Sequence, residues 1–305
     1  MPACTIHSFF TEGEFYHSVQ PRLGMRYKLP GNWALKASYA SMAQYINLLT
    51  SEALSLPTDL WVPSTGQIQP QSSWQGAIGA AKTLWKDYEL SIEGYYKEMN
   101  HVLSYKPGVS FILDPVSSSD WQDKITQGRG WSYGAEFLFQ KNFGRTTGWV
   151  AYTLSWNNRQ FDEINKGKVF PFKYDRRHDI SVVLSHDLSE RWSFSGAWIY
   201  GTGNAYSIPD TYYPVPQGYP GIYGGFNVYG DKNNYRMSDY HRLDISFKRT
   251  KKKQWGETFW IFGAYNTYSR MNPFFVTLQE DYRGRQLKEV AILPVIPYFS
   301  WGFKF

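Results

Sequence analysis

A single cysteine, Cys4, stands in the 305 residues. A lone thiol excludes an internal disulfide framework and a cysteine-based metal site. Long apolar runs are also missing. No stretch approaches the roughly 18 consecutive apolar residues of a membrane-crossing helix. The hydrophobic fraction is 42% and the mean hydropathy is -0.48. Helical membrane insertion is thereby excluded. A β-barrel is not, because it needs apolar residues only at alternate positions. Charge of one sign is scarce too, the net being +6. The run Lys251-Lys252-Lys253 reads as a solvated turn rather than a nucleic-acid patch. The first ten residues have neither a basic start nor an apolar core, so they do not read as a secretory signal. No linker or shift of composition divides the chain, and 1–305 reads as one domain.

What the chain has in excess is aromatic residues, 19% of the total, with 24 Tyr and 13 Trp. The carboxy-terminal residues are the most telling. Phe299, Trp301, Phe303 and Phe305 alternate with Ser300, Gly302 and Lys304. Period-2 alternation puts the four aromatics on one strand face. An exposed row of this kind is an aggregation hazard in water and a requirement on the lipid side of a transmembrane barrel. The same alternation recurs upstream. Leu23, Met25, Tyr27 and Leu29 oppose Arg22, Gly24, Arg26 and Lys28, and Tyr133, Ala135, Phe137 and Phe139 oppose Ser132, Gly134, Glu136 and Gln140. Two segments fit poorly: 74–85 is small and mixed, and 258–265 is apolar on both faces.

Tight hairpin signals occur at Pro30-Gly31-Asn32, Lys86-Asp87, Asn142-Phe143-Gly144-Arg145, Leu188-Ser189-Glu190 and Lys251-Lys252-Lys253-Gln254. Polar, Pro/Gly-rich stretches near 47–73, 104–128, 160–176, 206–238 and 271–288 separate them. Short turns at one end and long loops at the other describe an outer-membrane barrel with periplasmic turns. The expected fold is all-β: a partial antiparallel transmembrane β-barrel of about eleven strands, the carboxy-terminal half of a larger one. An odd count would place the two termini on opposite sides, with Met1 outside. That count and the missing export signal point to the carboxy-terminal part of a larger barrel.

These segments resemble the carboxy-terminal barrel of TonB-dependent outer-membrane receptors, in a branch that often carries a carboxypeptidase-like regulatory domain. The resemblance rests on Gln20-Pro21-Arg22-Leu23, Leu56-Pro57-Thr58-Asp59-Leu60-Trp61-Val62-Pro63, Glu93-Gly94-Tyr95-Tyr96-Lys97 and Gly130-Trp131-Ser132-Tyr133-Gly134-Ala135-Glu136. It continues through Phe170-Pro171-Phe172-Lys173-Tyr174-Asp175-Arg176-Arg177-His178-Asp179, Gly201-Thr202-Gly203-Asn204-Ala205 and Tyr240-His241-Arg242-Leu243-Asp244. It ends with Tyr265-Asn266-Thr267-Tyr268-Ser269-Arg270-Met271-Asn272-Pro273-Phe274-Phe275 and Leu293-Pro294-Val295-Ile296-Pro297. It implies a plugged barrel of about 22 strands in the outer membrane, energised through TonB for uptake of a scarce nutrient. The implied partners are outer-membrane lipid, the plug and amino-terminal barrel half, the TonB complex through that missing part, and an unidentified nutrient. No cofactor, nucleic acid or enzymatic activity is implied.

No catalytic or metal-ligating set stands out. Tyr174-Asp175-Arg176-Arg177-His178-Asp179 and the pair His241 and Asp244 read as lumen-facing charge ladders that position loops or plug, and Glu89, Glu93 and Glu136 as lumen lining. The ligand candidates are Tyr212, Tyr213, Tyr219 and Tyr223, in a loop that also holds Tyr206, Phe226 and Tyr229 among Pro and Gly. Tyrosine offers a large amphipathic contact at low entropy cost. The bland alternative is a self-packed surface loop, and Trp61 reads as loop packing. A soluble all-β carbohydrate-binding or hydrolase module is the rival class, and a non-functional receptor remnant is a third possibility. The aromatic row at Phe305 and the turn–loop alternation favour the receptor.

Overall fold

The computed structural model describes residues 2–11, 13–49, 60–107, 120–214, 225–281 and 284–305. Twelve long strands run in chain order through one antiparallel sheet. They are β1 (Pro2–Thr11), β2 (Glu14–Leu29), β3 (Trp33–Gln44), β4 (Gln71–Leu84), β5 (Tyr88–Tyr105) and β6 (Ile125–Lys141). Then come β7 (Thr146–Gln160), β8 (His178–Asp187), β9 (Trp192–Gly201), β10 (Tyr240–Lys253), β11 (Gly256–Tyr265) and β12 (Ile296–Lys304). A two-residue strand, Phe170–Pro171, pairs with the top of β7. Among the described residues β1 and β12 pair with nothing on their outer sides, so the sheet is open.

The hairpin turns fall where the sequence places them, with two differences. The Lys251-Lys252-Lys253 run is strand, not turn: β10 reaches Lys253, and the turn is the two residues that follow. Local charge suggested a solvated turn, but ladder pairing as far as Lys253↔Gly256 carries the strand through. Second, β1 is an additional strand, which makes the count twelve rather than eleven. β1 and β12 therefore run in opposite directions, and Pro2 and Lys304 lie at the same, short-turn end of the sheet. The expectation that the first residues lie at the opposite end falls with the odd count. β1 escaped because Cys4 and Ser8 interrupt its apolar face, opposite Pro21 and His17.

Register fixes the two faces. The row Tyr27, Leu35, Ala80, Ile92, Phe137, Tyr152, Ile180, Tyr200 is linked residue by residue across eight strands. One residue further along each strand, Arg26, Lys36, Gly79, Glu93, Glu136, Thr153, Asp179 and Gly201 form the opposite face. Leu23, Tyr27, Phe137, Val182, Phe194, Trp198, Trp301 and Phe303 share the apolar face, and Arg26, Glu93, Glu136, Ser195 and Lys304 the polar one, as the alternation predicts. Tyr27 is 66% exposed and Trp301 52%, so nothing among the described residues covers the apolar face.

The two poorly alternating segments now have reasons. Phe259 of β11 lies on the polar face, where a Cβ on Gly302 would come within 2.4 Å of its ring. Tyr298 covers Gly263 in the same way. An aromatic laid over a neighbouring glycine fills the gap left by the missing side chain and fixes register. In β4 the polar face carries Ala77, Gly79 and Ala81, which are small for want of room against β5.

Candidate functional site

A single sheet layer has no interior, and the larger buried side chains lie elsewhere. They form three clusters at the long-loop end. Leu49, Val62, Ile68 and Ile125 make the first. Val102, Phe161, Ile164 and Phe170 make the second, and Tyr206, Met237 and Val276 the third. Each cluster joins residues from more than one segment, so among the described residues the loops share small cores. Short hairpins rise from this layer: Ile46–Leu49 with Leu60–Pro63, Pro209–Pro214 with Gly225–Tyr229, and Pro273–Asp281 with Gly284–Ala291.

Polar contacts bind the second cluster to the third. Asp175 is 1% exposed. Its carboxylate accepts from the Asn157 backbone N–H at 2.7 Å, from Arg177 at 3.2 Å and from the Arg236 guanidinium. Arg236 also donates to the Asp175 and Gly203 carbonyls. Nearby, Asn233 Nδ2 donates to the Pro171 carbonyl at 2.8 Å, and Lys168 pairs with Asp231 at 3.5 Å. The loop between β7 and β8 is therefore latched to the loop between β9 and β10. In the third cluster Tyr235 donates to Glu289 at 3.2 Å. Burial, with the Glu289 charge beside it, raises that phenol above its ordinary pKa.

Asp175 and His178 do not meet; His178 Nδ1 pairs instead with the Tyr152 hydroxyl at 2.9 Å. His241 and Asp244 also part. His241 faces the Tyr268 hydroxyl at 2.8 Å, and Asp244 holds Arg242 at 2.9 Å. The described residues hold no group of three His, Cys, Asp or Glu able to bind a metal. Of the ladder readings, Asp175 departs most: it is a buried junction between loops. Its partner Arg236 lies 61 residues away, and nothing local in the sequence signals that pairing.

The polar face below this layer is strongly patterned. Glu93 and Glu136 are direct cross-strand partners, a repulsive arrangement when left alone. Neither has a cation partner among the described residues. Two rows further toward the loops Lys97 projects from the same face, and Arg159 stands one row beyond it. Arg159 lies across Gly130, where a Cβ would fall 2.2 Å from its Nη1, and under the Phe172 ring at 4.4 Å.

Tyr212 and Tyr213 stand on the hairpin Pro209–Pro214, adjacent in sequence and hence on opposite faces. Tyr213 is 61% exposed and Tyr212 half-buried. Tyr219 and Tyr223 lie outside the described residues. Tyr206 is a buried anchor with Lys173 5.4 Å from its ring centroid. Trp61 is 62% exposed, against the packing reading: alternation turns its neighbour Val62 into the first cluster and Trp61 outward.

Residues 6–270 match the TonB dependent receptor-like β-barrel family. The chain belongs to that family. Solved receptors share the fold at low identity. The ferripyoverdine receptor of the Pseudomonas aeruginosa outer membrane, bound to ferripyoverdine, superposes with a TM-score of 0.60 at 10% identity, over 98% of this chain and 35% of the receptor. The unliganded ferric citrate transporter FecA gives 0.56 at 12% identity, over 95% and 39%. The FrpB iron transporter of Neisseria meningitidis gives 0.54 at 10%, over 94% and 40%. The chain thus spans well under half the length of each. No curated protein sequence matches it. An open sheet of twelve strands is consistent with part of a larger barrel wall.

Proposed function

We propose that this chain is the carboxy-terminal wall and loop layer of a TonB-dependent outer-membrane receptor for energy-coupled uptake of a scarce nutrient, and that it has no enzymatic role. The carrying observation is the uncovered apolar face set against a patterned polar one, with latched loops at one end. The apolar face meets outer-membrane lipid. The polar face meets a plug, the open edges of β1 and β12 meet the remaining strands, and TonB acts through that other part. The loop layer takes the ligand at the mouth. A soluble carbohydrate-binding or hydrolase module would need its aromatic rows covered, and here they are bare.

The hairpin of Tyr212 and Tyr213, with Tyr219 and Tyr223 beyond it, is the proposed capture element. Replacing all four by Ser in the whole receptor is expected to weaken nutrient binding about tenfold or more, since each stacking ring contributes on the order of 1 kcal/mol. Barrel assembly should be untouched. Binding isotherms with and without the change decide it, and equal affinity would return the hairpin to packed surface.

The opposed Glu93 and Glu136 call for cations on whatever fills the lumen. In the complete barrel stripped of its plug, Glu93→Gln with Glu136→Gln is expected to relieve repulsion of roughly 0.2–1 kcal/mol. In the whole receptor the same change is expected to loosen the plug, lowering the urea midpoint for its release. A shift of the same sign in both settings would remove the plug from opposite this pair.

A further inference from the structure

The lysine run that is strand rather than turn belongs to a repeated device. At the short-turn end of the sheet, cations on the apolar face lie over aromatic rings. Lys82 Nζ is 4.8 Å from the Trp33 ring centroid, Lys141 Nζ 5.4 Å from Tyr88, Arg249 Cζ 5.7 Å from Trp192 and Lys253 Nζ 5.1 Å from Trp255. Three of these are direct cross-strand partners: Trp33↔Lys82, Tyr88↔Lys141 and Trp192↔Arg249. In β10, alternation puts Arg249, Lys251 and Lys253 in succession on the apolar face, beside the rows that end in Trp301 and Phe303. Lys252 points the other way.

Apolar-face positions at these strand ends carry no Asp or Glu. Among the described residues none of the five cations has a carboxylate partner. The loop end differs. There Arg177, over the Trp156 ring at 4.5 Å, is held by Asp175, and Arg129, over Trp131, is held by Gln160 at 2.7 Å. Among the described residues the loop end thus leaves one such cation, Arg129, without a carboxylate, whereas the short-turn rim gathers five.

We propose that this rim is a binding surface for the phosphate groups of anionic phospholipids. The inference rests on the membrane reading above and adds a lipid class to it. An aromatic ring sits at the level where hydrocarbon meets headgroup, and a long cationic side chain laid over it ends beyond, at phosphate depth. Zwitterionic lipid brings its own cation to that depth, whereas anionic lipid leaves the phosphate for the protein. Charge complementarity therefore selects phosphatidylglycerol or cardiolipin, at about fivefold per well-placed cation. The strongest part of the surface is Arg249, Lys251 and Lys253, which three successive outward positions of one strand hold in line.

The test uses the whole receptor in phosphatidylcholine bilayers with trace spin-labelled phosphatidylglycerol, cardiolipin or phosphatidylcholine. Association of the anionic labels is expected to exceed that of the phosphatidylcholine label by at least about fivefold. In the variant Lys141→Gln, Arg249→Gln, Lys251→Gln, Lys253→Gln, which leaves Lys82 alone, the preference should fall most of the way to the phosphatidylcholine level. Replacing the three lysines by Arg should keep it. Heat-modifiable gel mobility checks that each variant is folded, and the pair Arg249→Gln, Lys253→Gln serves should the fourfold change not fold. No preference in the wild type, or an unchanged one in a folded Gln variant, overturns the proposal. So does abolition of the preference by excess inorganic phosphate, which would mark a free-phosphate site. Failure of the wild type to insert into any bilayer would instead sink the membrane reading.

Discussion

Refolded by itself, the chain is expected to give no stable inserted species, and to insert when the complementary strands are supplied. The outer edges of β1 and β12 are ten and nine residues long. In an antiparallel edge strand alternate residues point both backbone groups outward, so each edge leaves roughly ten N–H and C=O groups unpaired. In water these are solvated. In hydrocarbon each costs several kcal/mol, and two edges together reach tens. A folded domain has only about 5–15 kcal/mol of net stability. No single-layer sheet with bare edges can absorb that deficit. The expected result is inclusion bodies, with no heat-modifiable band after refolding into vesicles. Co-refolding with the rest of the barrel should produce the band. Monomeric, water-soluble protein at high yield would revive the soluble module. A closed, inserted dimer is the other instructive outcome. With twelve strands β1 and β12 run in opposite directions, so two copies can pair edge to edge antiparallel, and such a dimer would overturn the half-barrel reading.

The wall was largely legible in the sequence, because its physics is local. Trp301 lies on the apolar face and Lys304 on the polar one since residues three apart on a strand point opposite ways. Legibility failed where composition ran against pattern. Residues 2–11 put Cys4 and Ser8 on the apolar face, and their link to β2 is two residues long, closed by Gly13 at φ +86°. Neither feature looks like part of a membrane strand. Lys251 and Lys253 were the reverse case: their charge pointed to a turn while the ladder carried on through them. The loop layer was the least legible part. Tyr206 and Tyr213 share one Tyr/Pro/Gly context, yet one is 3% exposed and the other 61%. Which of them anchors and which is free depends on Met237 and Val276, brought in from other segments. A pairing of loops across sixty residues leaves no period in the sequence to read.

Asp175→Ala is expected to release the loop layer while leaving the barrel assembled. Among the described residues its carboxylate is the one anion holding both Arg177 and Arg236, and it lies buried. Removing one member of a fully buried ionic set costs on the order of 3–5 kcal/mol; Arg177 and Arg236 are 28% and 37% exposed, so water screens what is left and the expected cost is about 1–3 kcal/mol. Here two guanidiniums are stranded. Arg177 keeps its stack on Trp156, but Arg236 keeps only backbone carbonyls. A loss of that size falls on contacts between two loops rather than on the strand ladder, so heat-modifiable mobility should not change. The loops should become susceptible to limited proteolysis between β7 and β8 and between β9 and β10. Ligand affinity should fall in proportion to the fraction of closed loops, about tenfold if one molecule in ten stays latched. The informative control removes all three charges together, as Asp175→Ala, Arg177→Met, Arg236→Met. With no charge left uncompensated, that variant should resist protease better than Asp175→Ala alone. If the single change leaves both proteolysis and affinity as they were, Asp175 is an ordinary rung of a lumen charge ladder, and the loops are held by their three small cores. If the triple change is the worse of the two, the latch contributes through the net attraction of its ion pairs and not through the cost of exposing their halves.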